Sequence, residues 1–263
     1  MKTIKSIARE ALYIFRRYPV TAIPFLIMAV MDLAALYVLY LAPQHPVSVL
    51  LAPPVRAFWG EQFLHYPMNL FLLPKLYNYA HIVLLGIVGV FTTGWSITMI
   101  EQAYQEKSPV LMRSALSAVK RYVSLLIIGI LIFLFSFFLG RLAANTSIII
   151  TYAIYFFNFL IQIIFLYAMA AVVIRKGNVI GATNSSFLMA KKYFVVTLLL
   201  SALTGVLYFP LMLLKENLSF FVNKFYPDSI MAVLALTILA TALIDIIITF
   251  LVAVLFLKEN INE

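Results

Sequence analysis

Two aspartates, Asp32 and Asp245, lie within long apolar stretches of the 263-residue sequence. A carboxylate at the centre of a membrane-spanning helix costs roughly 2.5–3.5 kcal/mol on insertion scales, so such a residue is a candidate for function. In a helix, Asp32 follows Pro19 by roughly three to four turns, and Asp245 precedes Leu257 by a similar distance. At about 1.5 Å per residue, both carboxylates lie roughly 18–20 Å from those helix ends. Their similar depth allows both to belong to one polar layer.

Two amides in another apolar stretch lie at a similar depth. Gln162 precedes Ile174 by roughly three helical turns, and Asn158 is one turn from Gln162 on the same face. We therefore predict that the first, fourth and sixth membrane helices form a polar layer from Asp32, Asn158, Gln162 and Asp245.

The predicted polar layer has three open interpretations. If the helices meet, the two carboxylates bind a cation or pass a proton. The sequence places no lysine or arginine at that depth to pair with them, which favours neutral aspartates that hydrogen-bond to Gln162 or to a backbone carbonyl and hold helices together. In the third interpretation the carboxylates contact a helix of a partner protein.

No other residues of the sequence form a pattern for catalysis or for cofactor binding. The chain has no cysteine, which excludes disulfides, thiolate metal sites and cysteine nucleophiles. It contains no phosphate-binding loop, serine elbow or zinc-protease helix. Glu61 and His65 are four residues apart, but one such pair does not define a metal site. We predict a protein that is not an enzyme and that has no catalytic, cofactor-binding or metal-ligating residues.

The composition indicates a membrane protein. Apolar residues make up 64% of the chain and charged residues 11%, against about 45–50% and about 25% in soluble domains. The surplus apolar surface must face lipid, and apolar runs of about 20 residues match the thickness of a bilayer. The runs are too long and continuous for the strands of a closed barrel. We predict an all-α polytopic transmembrane helical bundle that occupies 1–263 as a single integral membrane domain.

Six membrane spans are predicted, with an extracytoplasmic segment over 42–79 between the first two. Small residues within them, such as Gly86 and Gly205, are expected at close helix contacts. The predicted spans are Val20–Leu41, Ala80–Met99, Val123–Leu139, Ser147–Ile174, Phe194–Leu214 and Ser229–Leu257.

The basic residues predict the orientation of these spans. With the N-terminus in the cytoplasm, 14 of the 19 lysines and arginines fall in cytoplasmic segments, as the positive-inside rule requires. We therefore place both termini in the cytoplasm and the protein in the cytoplasmic (inner) membrane. This topology explains the net charge of +9 without a nucleic-acid partner. The expected partners are membrane lipids, with another membrane protein or a second copy of the chain as further candidates.

A short pattern occurs three times, at Ala11–Tyr18, Ala115–Tyr122 and Ser186–Tyr193. Each copy has a small residue, a large apolar residue, three variable positions, two basic residues and a tyrosine. It predicts an amphipathic helix at the membrane interface, followed by a span out and a span back. Ser108 and Pro109 are the predicted N-cap and first residue of the second such helix. Internal duplication and the general preference for basic and aromatic residues at cytoplasmic helix ends both explain the pattern. The predicted interfacial anchors are Arg16, Arg17, Tyr18, Lys120, Arg121, Tyr122, Lys191, Lys192 and Tyr193.

The segment 42–79 contains six of the eleven prolines, which argue against a continuous helix. Val55–Tyr66 is predicted to form a short helix on the outer surface, with Phe58, Trp59 and Phe63 toward lipid. Because the other outside loops are short, these three aromatic residues are the candidate partner-binding site. A packed cap without a partner is the alternative.

Two regions carry a resemblance to known proteins. At Ser108–Leu131 and Gly177–Leu200, a helix with small residues, a basic pair and an aromatic residue precede a leucine-rich span. This order resembles the membrane-spanning domain attached to some bacterial glycerophosphodiester phosphodiesterases and related uncharacterised six-helix inner-membrane proteins. The resemblance implies a six-helix fold in a bacterial-type membrane. It implies no phosphodiesterase activity, because no soluble domain of that kind follows Glu263.

These observations give two main hypotheses for function. The first is a non-enzymatic accessory or scaffold subunit that binds another membrane protein or organises lipid. The alternative is a small transporter or ion-coupled permease that uses Asp32 and Asp245. A membrane-embedded lipid enzyme ranks last, because the sequence offers no evident acid–base pair or nucleophile cluster.

Overall fold

The computed structural model describes residues 4–143, 146–175, 177–217 and 226–260, and all regular secondary structure in these ranges is helical. The predicted all-α helical fold is confirmed. The α-helices are α1 (Ile4–Arg17), α2 (Ile23–Tyr40), α3 (Ser48–Trp59), α4 (Met68–Leu84), α5 (Val90–Tyr104), α6 (Leu111–Lys120), α7 (Tyr122–Ala143), α8 (Ile148–Phe165), α9 (Ala168–Ile174), α10 (Val179–Lys192), α11 (Phe194–Glu216) and α12 (Ser229–Asn260).

Six helical stretches in these ranges are long and apolar enough to cross a membrane. The chain is therefore a multi-pass membrane protein, as predicted. The stretches are Pro19–Tyr40, Met68–Tyr104, Tyr122–Ala143, Ile150–Ile174, Phe194–Lys215 and Ser229–Asn260.

The second stretch begins at Met68, well before the predicted start at Ala80. Helix α4 includes Pro74 in its interior. Proline is tolerated in membrane helices, because neighbouring groups satisfy the backbone carbonyl that its ring leaves without a donor. A π-helical turn over Leu85–Gly89 joins α4 to α5.

The helix within the segment 42–79 also differs from the prediction. It spans Ser48–Trp59, with two prolines inside it, and not Val55–Tyr66. The helix ends at Gly60, whose φ of 102° lies in the region that glycine adopts without a steric penalty. The next residues, Glu61–Leu64, form a 3₁₀ turn.

The three repeated segments form short helices that precede a span, as predicted. Helices α1, α6 and α10 end at Arg17, Lys120 and Lys192. Tyr18 leaves the helical conformation (φ −134°, ψ 66°) because the following proline disfavours it. The equivalent positions Ile14, Ala118 and Met189 are buried, so the three helices bury the same position of the repeat.

The starts of two of these helices show what local sequence can predict. Helix α6 begins at Leu111 with Val110 as an extended N-cap, so the predicted start at Ser108 and Pro109 is wrong. Helix α10 follows Asn178, whose side-chain oxygen accepts a hydrogen bond from the Gly181 N–H at 2.8 Å. Such a cap stabilises a helix by about 1 kcal/mol.

The fourth span contains a break that involves neither proline nor glycine. Helix α8 ends at Phe165, and α9 begins at Ala168. The Ser186 hydroxyl donates to the Ile164 carbonyl at 2.5 Å and accepts from the Tyr167 N–H at 3.1 Å. A side chain that inserts into the backbone hydrogen-bond ladder is an established cause of helix bending.

The chain divides into two compact units. The first unit consists of Met1–Phe25, Gly86–Gly205 and Ile246–Glu263, and the second of Leu26–Leu85 and Val206–Asp245. The core of the first unit includes Tyr167 and the buried residues of α9. The core of the second unit is formed by Ala29, Leu36, Leu70, Leu73, Tyr77, Ile230, Leu234, Ile238 and Ala242.

Within the first unit, α5 and α7 approach each other at two glycines. A Cβ atom on Gly94 would lie 2.4 Å from Leu125 Cδ1, and one on Gly129 would lie 2.8 Å from Val90 Cγ2. A Cβ on Gly86 or Gly205 would have open space within 4 Å, so these two glycines do not mark close contacts.

We predict that Gly94→Leu destabilises the folded protein by about 1–3 kcal/mol, because the new side chain overpacks the contact with Leu125. Gly205→Leu is the matched control and should change the free energy of unfolding by less than about 0.5 kcal/mol. Thermal unfolding in a mild detergent measures both variants. Equal effects of the two substitutions would contradict the close packing of α5 against α7.

Candidate functional site

Asp32 of α2 is buried in the second unit and is paired with a histidine. Its side chain is 4% exposed, and its Oδ1 atom lies 3.0 Å from Nδ1 of His81 in α4. A proton on Nδ1 is donated to the carboxylate, which fixes the orientation of the ring. The sequence does not reveal this partner, because His81 is the second residue of the predicted span Ala80–Met99 and so stands at its edge, where no buried pairing is expected.

Tyr77, one helical turn before His81 on α4, is the third side chain that contacts this pair. Its ring stacks on the His81 ring with 5.6 Å between centroids and 29° between planes. Its hydroxyl lies 3.4 Å from His81 Nδ1 and interacts with Asp32. Because Nδ1 is engaged by these groups, Nε2 is the His81 nitrogen left for a ligand or a proton.

The second intramembrane aspartate also has a side-chain partner in the second unit. The Tyr208 hydroxyl of α11 donates to Oδ1 of Asp245 in α12 at 2.5 Å. Asp245 also interacts electrostatically with His81 and Asp32. The two carboxylates therefore belong to one electrostatic cluster.

A cavity of about 270 Å³ adjoins this cluster within the second unit. Two of its lining residues bind the intramembrane aspartates. His81 contacts Asp32, and Tyr208 donates a hydrogen bond to Asp245. The wall thus presents an imidazole, a phenol, an ammonium group and a hydroxyl beside apolar side chains. The cavity is lined by His81, Tyr208, Leu211, Met212, Lys215 and Thr241.

Lys215 supplies the ammonium group of this cavity wall. It is the penultimate residue of α11. In the part of the chain that the structure describes, no ion pair or hydrogen bond engages its ammonium group, although it interacts electrostatically with Asp32.

The four residues of the predicted polar layer fall into different units. Asp32 and Asp245 belong to the second unit, whereas Asn158 and Gln162 belong to the first. Asn158 Oδ1 accepts a hydrogen bond from Ser136 in α7 at 3.2 Å. Within the second unit, side chains of α4 and α11 bind the two carboxylates.

The basic pairs of the repeats have two different environments. The first member of each pair, Arg16, Lys120 or Lys191, is exposed, which suits an interfacial anchor. The second member contacts the protein. Arg17 donates to the Tyr13 hydroxyl at 2.6 Å, and Arg121 donates to a backbone carbonyl of α9.

Within the first unit, the third basic pair, Lys191 and Lys192, contacts helix α12 through Lys192. Glu259 is 4% exposed and accepts hydrogen bonds from Lys192 and from the Tyr193 hydroxyl. Of these two predicted anchors, Lys192 therefore neutralises a buried carboxylate and Tyr193 hydrogen-bonds to it. Tyr122, the equivalent of Tyr193, donates to the Ile87 carbonyl at 3.0 Å.

The three candidate partner-binding aromatic residues of the segment 42–79 are only partly exposed. Phe58 is 77% exposed, whereas Trp59 and Phe63 are half-buried. The Trp59 ring contacts Phe58 and lies 5.9 Å from the Lys75 ammonium group. Phe58 is thus the most accessible of the three candidate partner-binding residues.

Comparisons of the chain with models of protein families, with curated proteins and with solved structures find no match. The resemblance to the membrane-spanning domain of glycerophosphodiester phosphodiesterases stays a prediction.

We predict that Lys192→Ala destabilises the protein by about 1–3 kcal/mol, because it removes a charged partner of the buried Glu259 carboxylate. Lys191→Ala is the matched control on the exposed neighbour and should change the free energy of unfolding by less than about 0.5 kcal/mol. Unfolding in detergent measures both variants. A loss that is no larger for Lys192→Ala would contradict the pairing with Glu259.

Proposed function

We propose that the protein is a proton-coupled permease for a small solute, with the cavity of the second unit as its binding site. The Asp32–His81 pair at the cavity wall is the observation that carries this proposal. In a buried Asp–His pair beside a cavity, a side chain that can accept and release a proton lies next to a space that can hold a solute.

The proton is carried by His81 Nε2 in this proposal. In the neutral ring, Nδ1 donates to Asp32, and the Nε2 lone pair accepts a proton from the cavity side. The imidazolium that forms is neutralised by the Asp32 carboxylate 3.0 Å away, which lowers the cost of a positive charge in a low-dielectric environment. The other titratable groups near this ring are Tyr77, Tyr208, Lys215 and Asp245.

Two features of the helices that carry the site support a conformational change. The π-helical turn Leu85–Gly89 begins four residues after His81, and such turns occur frequently at functional sites. Pro210 lies inside α11 two residues after Tyr208, where a missing backbone hydrogen bond permits bending. Both features lie next to residues that a bound solute contacts.

The proposal includes the membrane and the orientation that the sequence predicts. The positive-inside distribution supports the cytoplasmic (inner) membrane with both termini in the cytoplasm. Lys215 then stands at the outer end of α11, so the solute enters the cavity from the outside.

A second candidate function is the non-enzymatic accessory or scaffold subunit. Apolar side chains exposed on the outer helix α3 favour it, with Leu50 78% exposed and Phe58 77% exposed. Exposed apolar groups of this kind mark contacts with protein or lipid. Both candidates are non-enzymatic: in the described part of the chain, the side chains hydrogen-bonded to His81 are Asp32 and Tyr77, which are not activated nucleophiles.

We predict that Asp32→Asn and His81→Gln each reduce proton-driven solute uptake at least about tenfold, because each substitution removes the group that carries or stabilises the proton. The assay uses proteoliposomes with an acidic exterior and a panel of labelled sugars, amino acids, carboxylates, polyols and phosphate. An uncoupler should abolish accumulation by the wild-type protein.

His65→Gln is the matched control, because His65 is exposed outside the cavity, and it should transport like the wild type. Monodisperse elution in detergent checks that all variants fold. A wild-type protein that accumulates none of the panel, or aspartate and histidine variants that transport normally, would refute the permease.

A further inference from the structure

We propose that the solute is a small organic monocarboxylate, held between the Lys215 ammonium group and the protonated His81 ring. This inference rests on the proposed function and names the substrate class of the same cavity. Four observations carry it: the charge of Lys215, the pairing of His81, the hydrogen bond of Tyr208 and the apolar part of the wall.

The first observation concerns the cationic groups of the cavity wall. Lys215 and His81 both line the cavity. Asp32 contacts His81, and Asp245 accepts a hydrogen bond from Tyr208, but neither aspartate is a lining residue of the cavity. Among the residues that the structure describes, the cavity lining therefore presents cationic groups and no carboxylate to a solute, which favours an anion.

The second observation concerns the balance of charge when the site fills. The pair formed by Asp32 and neutral His81 gains one positive charge when Nε2 accepts a proton. A monoanion that binds beside Lys215 adds one negative charge. Proton and monoanion therefore enter together without a change in the net charge of the site, which is the least costly way to fill a low-dielectric cavity.

The hydrogen-bonding groups fit a carboxylate. The ammonium group of Lys215 and an Nε2–H of His81 offer one cationic donor to each of its two oxygens. Tyr208 donates its hydroxyl hydrogen to Asp245, so its oxygen is left as an acceptor. Tyr208 and Thr241 can therefore bind a hydroxyl group of the solute next to the carboxylate.

Size and polarity favour an organic anion with a short carbon chain. The volume of about 270 Å³ lies below the usual range of about 300–1,000 Å³ for sites that hold drug-sized ligands. Leu211 and Met212 form an apolar part of the wall. Inorganic phosphate has no apolar part to place there, whereas a 2-hydroxy monocarboxylate does.

Uptake of labelled lactate into proteoliposomes tests this inference. The wild-type protein should accumulate lactate when the exterior is acidic, and it should not accumulate the neutral amide lactamide. Lys215→Met should raise the half-saturating lactate concentration about tenfold or more, because it removes one charge-assisted hydrogen bond. Lys215→Arg should retain part of the affinity, since it keeps the charge but changes the geometry.

Lys75→Met is the matched control, because Lys75 contacts Trp59 and is not a lining residue of the cavity. It should transport lactate like the wild type. Lactate uptake that Lys215→Met leaves unchanged would overturn the role of Lys215. Accumulation of phosphate or a sugar, but of no carboxylate, would overturn the substrate class while the permease stands. Accumulation of no solute at all would overturn both proposals.

Discussion

A carboxylate that is buried among apolar helices must be paired or neutral, because its desolvation costs several kcal/mol. Asp32 meets this constraint through His81 and Tyr77, which α4 presents one turn apart. The pairing requires α4 to be helical well before the predicted span. Since His81 also lines the cavity, the group that stabilises the buried charge is also the group that contacts the solute in the proposed permease.

The two units differ in what their polar groups do. In the first unit, buried polar contacts hold helices together: Ser186 bridges the break between α8 and α9, and Lys192 and Tyr193 bind Glu259. The three repeat helices α1, α6 and α10 all lie in this unit. In the second unit, the buried aspartates bind side chains that face a cavity. The first unit is thus built for stability, and the second unit contains the candidate chemistry.

Much of the fold can be predicted from the sequence, because apolar run length and basic-pair position are local properties. Six spans and three short preceding helices follow from them. The start of α4 was predicted too late, since the rule that proline breaks helices holds better in water than in a membrane. Helix α4 continues through Pro74. His81 therefore lies well inside the second apolar stretch and not at its start, where the predicted span Ala80–Met99 placed it.

The pairing of helices cannot be read from a single sequence. Glu259 lies 66 residues from Tyr193, and no local pattern indicates that a predicted interfacial anchor binds it. The break before Ala168 depends on Ser186 of another helix and has no proline or glycine signal. The depth of Asp32 and Asp245 in the sequence marks both carboxylates as candidates, but their side-chain partners depend on tertiary packing.

A double-mutant cycle of Asp32→Asn and His81→Gln tests the central claim, which is that these side chains form a buried pair. Reversible unfolding in lipid or detergent gives the free energy of unfolding of the wild type, both single variants and the double variant. A coupling energy of about 1–3 kcal/mol is predicted, because the second substitution costs little once the first has broken the pair. Losses that add within about 0.3 kcal/mol would contradict the pair and the site built on it.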